Sequence, residues 1–224
     1  MSAGQTLGRG APTSSRTRVR KSERAVYDRT AIDAILDEGL ICHVGFIVEG
    51  QPFVIPTIHA RVEDRLYIHG APATRMLRVM RGGSPVCVTV TLLDGLVMAR
   101  SAFHHSMNYR SVVVLGGARE VTDASEKLDA IEAIVEHVAR GRWMDCRHPN
   151  SKELAGTQVL SLPITESSAK MRTGPPIDDD GDHALDVWAG VIPMELTSSP
   201  PIDDPLLRPG IPTPEYAVRY ERSR

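Results

Sequence analysis

Apolar residues recur along this chain at two spacings, and those spacings assign most of its elements. Ile32, Ile35 and Leu36 share one side of a helical period, between Thr30 and Asp33 at the start and Gly39 at the end, which predicts a short amphipathic helix with a cap at each end. Residues 40–48 then read as an apolar strand, and Glu49, Gly50, Gln51 and Pro52 turn it into residues 53–62, rich in β-branched and aromatic side chains. Glu63, Asp64 and Arg65 form a turn-length polar break before residues 66–69, so a hairpin is predicted. Thr74 is placed to cap a short helix over 75–81, which Gly82 and Gly83 end. Residues 85–93 alternate apolar and small polar positions, Asp94-Gly95 signals a hairpin turn, and residues 96–103 return. A further strand over 110–121 carries Gly116 and Gly117 inside it, as at a bulge.

The clearest element is a long helix. Asp123 caps it, Glu126 stands three residues on, and Leu128, Ile131, Val135 and Val138 repeat at helical spacing until Gly141. Residues 159–164 and 187–194 are strand candidates on either side of a long loop over 171–183. About seven strands joined mainly by hairpins, with one major helix and two minor ones, predict a barrel or sandwich of antiparallel strands. Neither a GxGxxG nor a GxxxxGK[ST] pattern occurs, which agrees with the missing βαβ rhythm.

Composition adds limits. With 224 residues, 42% of them hydrophobic, the chain suits one domain with appendages. Residues 1–22 hold five basic residues and no acidic one and read as a disordered basic tail, not a secretory signal. Residues 23–196 are the domain, and residues 197–224 a proline-rich extension. A net charge of −2 gives no global attraction to nucleic acid or to a membrane, and no apolar run approaches the length of a bilayer span. Cys42, Cys87 and Cys146 are odd in number and far apart, so neither a disulfide framework nor a zinc site is expected, and a reducing cytoplasm fits best.

Two stretches carry candidate chemistry. Thr74 and Arg75 put a hydroxyl and a guanidinium at a helix start, a combination suited to a phosphate. His105 to Ser111 gather a hydroxyl, an amide, a phenol and a guanidinium just before an apolar strand, as a heterocycle or phosphate would need for orientation. Other patterns carry less. Ser167-Ser168-Ala169-Lys170 matches S-x-x-K without its companion motifs. His104 and His105 are adjacent, so on a strand they face opposite ways, and Cys146-Arg147-His148 lacks a second ligand pair. Asp178, Asp179 and Asp180 read as a solvated loop, and no metal is expected.

Taken in order, ICHVGFIVEGQPFVIPT, LYIHGAPATRML, SMNYRSVVVLGGAREV and VWAGVIPM resemble the pyridoxamine 5′-phosphate oxidase-like superfamily of FMN-binding split barrels. The nearest branch is that of flavin-nucleotide-binding and nitroimidazole-resistance proteins, and the resemblance spans about residues 20–196. It implies a six-stranded antiparallel split β-barrel with flanking helices, acting as a homodimer with FMN at the subunit interface. Val54, Ile55, Pro56 and Thr57 would line the flavin ring, and Ile68, His69 and Gly70 would continue that wall. Thr74 and Arg75 match the phosphate clamp. Arg110 and Ser111, with Asn108 and Tyr109 beside them, match polar positions near the ring and ribityl chain, and Trp188 matches an aromatic that the partner subunit supplies in the oxidases. Met76 stands where the oxidases have a lysine, and no substrate-binding arginine motif follows Trp188, which sets the chain apart from true pyridoxamine phosphate oxidases. The resemblance implies an FMN-dependent reductase of a small electrophilic or nitroaromatic substrate using NAD(P)H. Two alternatives stay open: a flavin-binding protein for storage or sensing, and a barrel that has changed ligand to deazaflavin or haem.

Overall fold

The computed structural model describes residues 10–221. After a first short strand, β1 (Ala25–Val26), helix α1 (Arg29–Glu38) is capped not by the expected Thr30 but two residues earlier by Asp28, and the Asp28 carboxylate accepts the Ala31 N–H. Gly39 is the C-cap of α1, its extended backbone ending the helix while its N–H donates to the Ile35 carbonyl, and a Cβ there would lie 2.2 Å from Val90 Cγ1. Strands β2 (Ile41–Val48) and β3 (Gln51–Ile58) form a hairpin whose turn, Glu49-Gly50, has both residues at positive φ.

The pattern over 53–62 divides where a single strand is expected. His59 is fully buried, with a ring nitrogen 3.0 Å from the Leu36 carbonyl, and beyond it β4 (Ala60–Val62) joins a different sheet. The expected hairpin is therefore β4 with β5 (Arg65–Gly70), followed by α2 (Arg75–Arg81). The second difference is larger. Asp94-Gly95 makes no hairpin: β6 (Pro85–Met98) runs straight through it as one strand of 14 residues, with a bulge between Leu93 and Gly95. A Cβ on Gly95 would meet Ile192 O at 3.1 Å, so glycine serves close strand approach there and not a turn.

β7 (Ser106–Gly117) and β8 (Arg119–Glu120) lead into α3 (Ala124–Val138), capped by Asp123 as expected. Two short helices, α4 (Arg142–Asp145) and α5 (Ser151–Gly156), precede β9 (Gln158–Pro163). β10 (Ser167–Arg172), β11 (Gly190–Pro193) and α6 (Glu215–Val218) complete the chain. All pairing is antiparallel. One sheet runs β1-β10-β7-β6-β2-β3 with β11 on β6, and a second runs β4-β5-β9-β8. Neither closes on itself, which is the split-barrel arrangement.

Between the sheets lie Leu36, Val44, Leu66, Ile68, Val88, Val112, Leu160 and Leu162, joined by Leu77 and Met80 from α2. A smaller cluster, including Tyr67, Ala130 and Ile134, sits under α3. Each buried aliphatic side chain contributes about 1.5–3 kcal/mol, so this interior holds α2 and β5 in fixed relation. Where a tail is expected, residues 1–9 lie outside the described residues, and from Gly10 the chain lies on the barrel. Ser14 and Arg16 bond to Glu166, Thr17 is buried, and the Val19 N–H donates to the Tyr27 hydroxyl at 2.9 Å. At the other end Tyr220 donates to the Val138 carbonyl at 2.7 Å. Among the described residues no helix is long and apolar enough to cross a membrane.

Candidate functional site

A cleft of about 440 Å³ opens where β2, β3 and β5 meet the start of α2. Strand alternation decides which residues reach it. Phe53, Ile55 and Thr57 of β3 line the cleft, whereas Val54 and Pro56 face the other way. That outer face continues onto β2, where Ile41 pairs with Ile58, His43 with Pro56, Gly45 with Val54 and Ile47 with Pro52. Ile41, Ile47 and Val54 are each more than half exposed, which makes the outer face an uncovered apolar stripe on an edge strand.

Phe46 and Phe53 stack across the hairpin with centroids 5.7 Å apart, and the Arg75 guanidinium lies 4.7 Å from the Phe53 centroid. Arg75 has no carboxylate partner among the described residues, so its donors are available. Thr74 does not cap α2 through its side chain as expected; its hydroxyl donates to the Ala71 carbonyl at 2.9 Å, which fixes the loop and leaves the first N–H groups of the helix uncapped by a side chain. His69 and Gly70 form the floor. The His69 Nδ1 is buried without a hydrogen-bond partner, and burial holds the imidazole below its ordinary pKa, hence neutral at pH 7. Ile68, the neighbour expected on the same wall, points into the core at 1% exposure.

The cleft thus gathers Ile55, Thr57, His69, Gly70, Thr74 and Arg75. The other expected residues lie elsewhere. Arg110 is saturated: Glu38 accepts from Nη1 and Nη2, and Asp94 accepts from Nε at 3.0 Å and Nη2 at 2.7 Å. These two carboxylates raise its pKa further. Asn108 donates to the Gly174 carbonyl at 3.1 Å and accepts from Arg172, Tyr109 lies under the Lys170 ammonium, and the Ser111 hydroxyl donates to the Lys170 carbonyl. All three hold β7 to β10 and the loop beyond. Trp188 is 65% exposed and packs beside Gly190.

Phe46 and Phe53 are cleft residues that the sequence reading passes over. The signal for them was available, because both lie the same number of residues from the Glu49-Gly50 turn and must face each other in a two-residue hairpin. Asp178 also departs from expectation. It is not solvated: its carboxylate accepts from the Arg100 backbone at 2.9 Å and the Arg100 guanidinium at 3.0 Å, with the side chain 1% exposed. His104, from the turn before β7, and Asp179 and Asp182 of the loop that carries Asp178 place ligand atoms within 4.8 Å of one another. In S-x-x-K, the Ser167 hydroxyl donates to Ile164 O and so is no free nucleophile. Burial pushes the Cys42 thiol up to about 12 and raises Cys87 too, which removes both as nucleophiles near neutrality.

Residues 28–171 match the family model described as pyridoxamine 5′-phosphate oxidase. The chain belongs to that family. Solved relatives agree: the flavocytochrome Anf3 from Azotobacter vinelandii is 41% identical over 96% of this chain and 100% of its own, with a TM-score of 0.90. The FAD and haem binding protein from Mycobacterium smegmatis is 34% identical over 86% of this chain and 95% of its own, with a TM-score of 0.83. A putative 5-nitroimidazole antibiotic resistance protein from Bacteroides thetaiotaomicron shares the fold at 24% identity, over 65% of this chain and 85% of its own, with a TM-score of 0.56. No curated protein sequence matches this member of the family.

Proposed function

We propose that this pyridoxamine 5′-phosphate oxidase family member is a flavin-dependent redox protein, its flavin held in the cleft between β3, β5 and α2. The observation that carries the reading is Arg75, a guanidinium with no carboxylate partner among the described residues, at the end of an apolar trough. A flavin nucleotide has a flat apolar ring and an anionic phosphate. Phe53, Ile55 and Thr57 offer the wall, and Arg75 with the first N–H groups of α2 offers the anion contact. FMN is the flavin that the cleft alone would satisfy; FAD shares the same phosphoribityl half, and the relative from Mycobacterium smegmatis is a FAD binder by name. When bound, the flavin would supply hydride acceptance and one- or two-electron transfer. Arg75 and Thr74 are exposed at the mouth of the cleft, so the anion contact there is open to screening by salt. A reduced nicotinamide as donor and a small electrophile, nitroaromatics included, as acceptor complete the proposal.

His69 favours a second reading, in which haem is bound as well. A neutral imidazole with an unpartnered, buried Nδ1 is a competent iron ligand, and the relatives from Azotobacter vinelandii and Mycobacterium smegmatis are a flavocytochrome and a haem binder by name. The absorbance spectrum of the purified protein separates the readings. Flavin bands alone, bleached by NADH or NADPH, support the first, an added Soret band supports the second, and a colourless protein that ignores FMN, FAD and haemin refutes both. Mass analysis of the extracted cofactor distinguishes FMN from FAD.

The apolar stripe on β2 and β3 supports a homodimer in which this face is covered by a second copy. Val54→Asp places a charge at its middle without touching the core. Sedimentation should show wild-type dimers and V54D monomers; a wild-type monomer would end the dimer proposal.

A further inference from the structure

A second cavity, of about 370 Å³, lies on the far side of the molecule's sequence logic, between the N-terminal segment and strands β7 and β10. Its lining shares no residue with the flavin cleft. Six of its side chains are cationic: Arg16, Arg18, Arg20, Lys21, Arg24 and Lys170. Among the described residues no carboxylate lines it. Arg16 alone is spent on an acid, pairing with Glu166 at the edge. Burial, and next to it the nearby Arg24, lower the pKa of Arg172, a guanidinium whose hydrogen-bond partners are the Asn108 amide and backbone carbonyls.

Like charges gathered around one hollow repel, and a folded chain that keeps six of them together with one acid, Glu166, paired at the rim is stabilised by an anion that enters. From this arrangement we infer that the cavity is an anion site for the diphosphate group of a nucleotide. The charge count selects a multiply charged group, since a single monoanion would leave most of the cations uncompensated. The hydroxyls of Ser111 and Ser168 stand on the barrel wall as further polar contacts, and Val19 and Val113 give an apolar strip against which a ribose or base can lie. A nucleoside diphosphate should therefore bind more tightly than inorganic pyrophosphate. An open basic tail binding nucleic acid would have its cations spread in solvent. Here the segment is held by Ser14 on Glu166, by the buried Thr17 and by Val19 on Tyr27, and it borders one cavity with Lys170 on the opposite wall.

The test is calorimetric titration of the full chain with ADP and with pyrophosphate. Saturable binding of ADP that weakens with added salt is expected, with pyrophosphate weaker. Arg18→Gln with Arg20→Gln should weaken ADP by about tenfold or more, as expected for two charge-assisted contacts. Both positions are exposed, so melting should be unchanged. Lys170→Gln, on the opposite wall, should weaken ADP in the same direction, while Arg75→Ala should leave it within about twofold. The inference is overturned if the wild type shows no saturable binding or if the double variant binds as the wild type does. It is equally overturned if Lys170→Gln has no effect, which would assign binding to the basic segment alone. Loss of ADP in Arg75→Ala, or loss of bound flavin in the double variant, would merge the two sites and overturn it as well.

Discussion

Arg75 and Arg110 look alike in the sequence. Each stands beside a hydroxyl residue, each is next to an apolar element, and each matches a cofactor position in the family pattern. Their surroundings in the fold are opposite. Arg110 is locked between Glu38 and Asp94, 72 and 16 residues away, and ties α1 to the bulge of β6. Arg75 faces a trough with only an aromatic ring beneath it. A guanidinium becomes a ligand contact or a structural brace according to which carboxylates the fold delivers to it. Those carboxylates are invisible in any local motif.

Three substitutions sharpen or break that contrast. The largest effect is expected for Arg110→Ala, which strands two carboxylates and should cost about 3 kcal/mol of stability, the low end for a broken buried pair because the side chain remains 23% exposed. Chemical denaturation measures it. An Arg110→Ala protein that melts normally but loses its flavin would reverse the assignment. Arg75→Ala comes next: flavin affinity should fall by roughly 10- to 100-fold, the worth of about 1.5–3 kcal/mol in a charge-assisted contact, with the apoprotein's stability unchanged. Affinity preserved within about a factor of two would mean that the phosphate lies elsewhere.

The smallest effect concerns His69. Burial depresses its folded pKa below the ordinary 6.5, so on acidification the unfolded chain takes up this proton first. Stability contributed by the neutral ring is complete above 6.5 and falls as pH drops from there toward the depressed folded value. His69→Gln should flatten that part of the melting-temperature profile relative to wild type. Profiles that superimpose would show that His69 titrates as it does in the unfolded chain.

Elements with a strong local period were legible. Helix α3 announced itself through Asp123 and its 3.6-residue repeat, and β2, β5, β9 and α2 follow their apolar runs. What failed were places where a distant partner overrode a local signal. Asp94-Gly95 reads as a turn, but Asp94 is recruited by Arg110 and Gly95 by the backbone of β11, so the chain continues straight. β10 went unread because Ser167, Ser168 and Lys170 give it no apolar alternation, although Ser167 and Ser168 are buried against β7. The same separation held for chemistry. Ile55, Thr57, Thr74 and Arg75, which the motifs put close together, do share one cleft, while Val54, Pro56 and Ile68 do not reach it; the six cations around the second cavity become a group only when residues 16–24 fold back over Lys170.

Strand β3 serves two masters through one pleat: odd-numbered side chains from Phe53 to Thr57 furnish the trough, and even-numbered ones furnish the uncovered stripe. Shifting its backbone to suit one surface necessarily moves the other. If a second copy covers that stripe and seats best on the β3 position that the cofactor also favours, occupancy of the trough and self-association become reciprocal quantities, each raising the other by the same factor. Dilution would then bleach the protein, and cofactor added back would restore its mass.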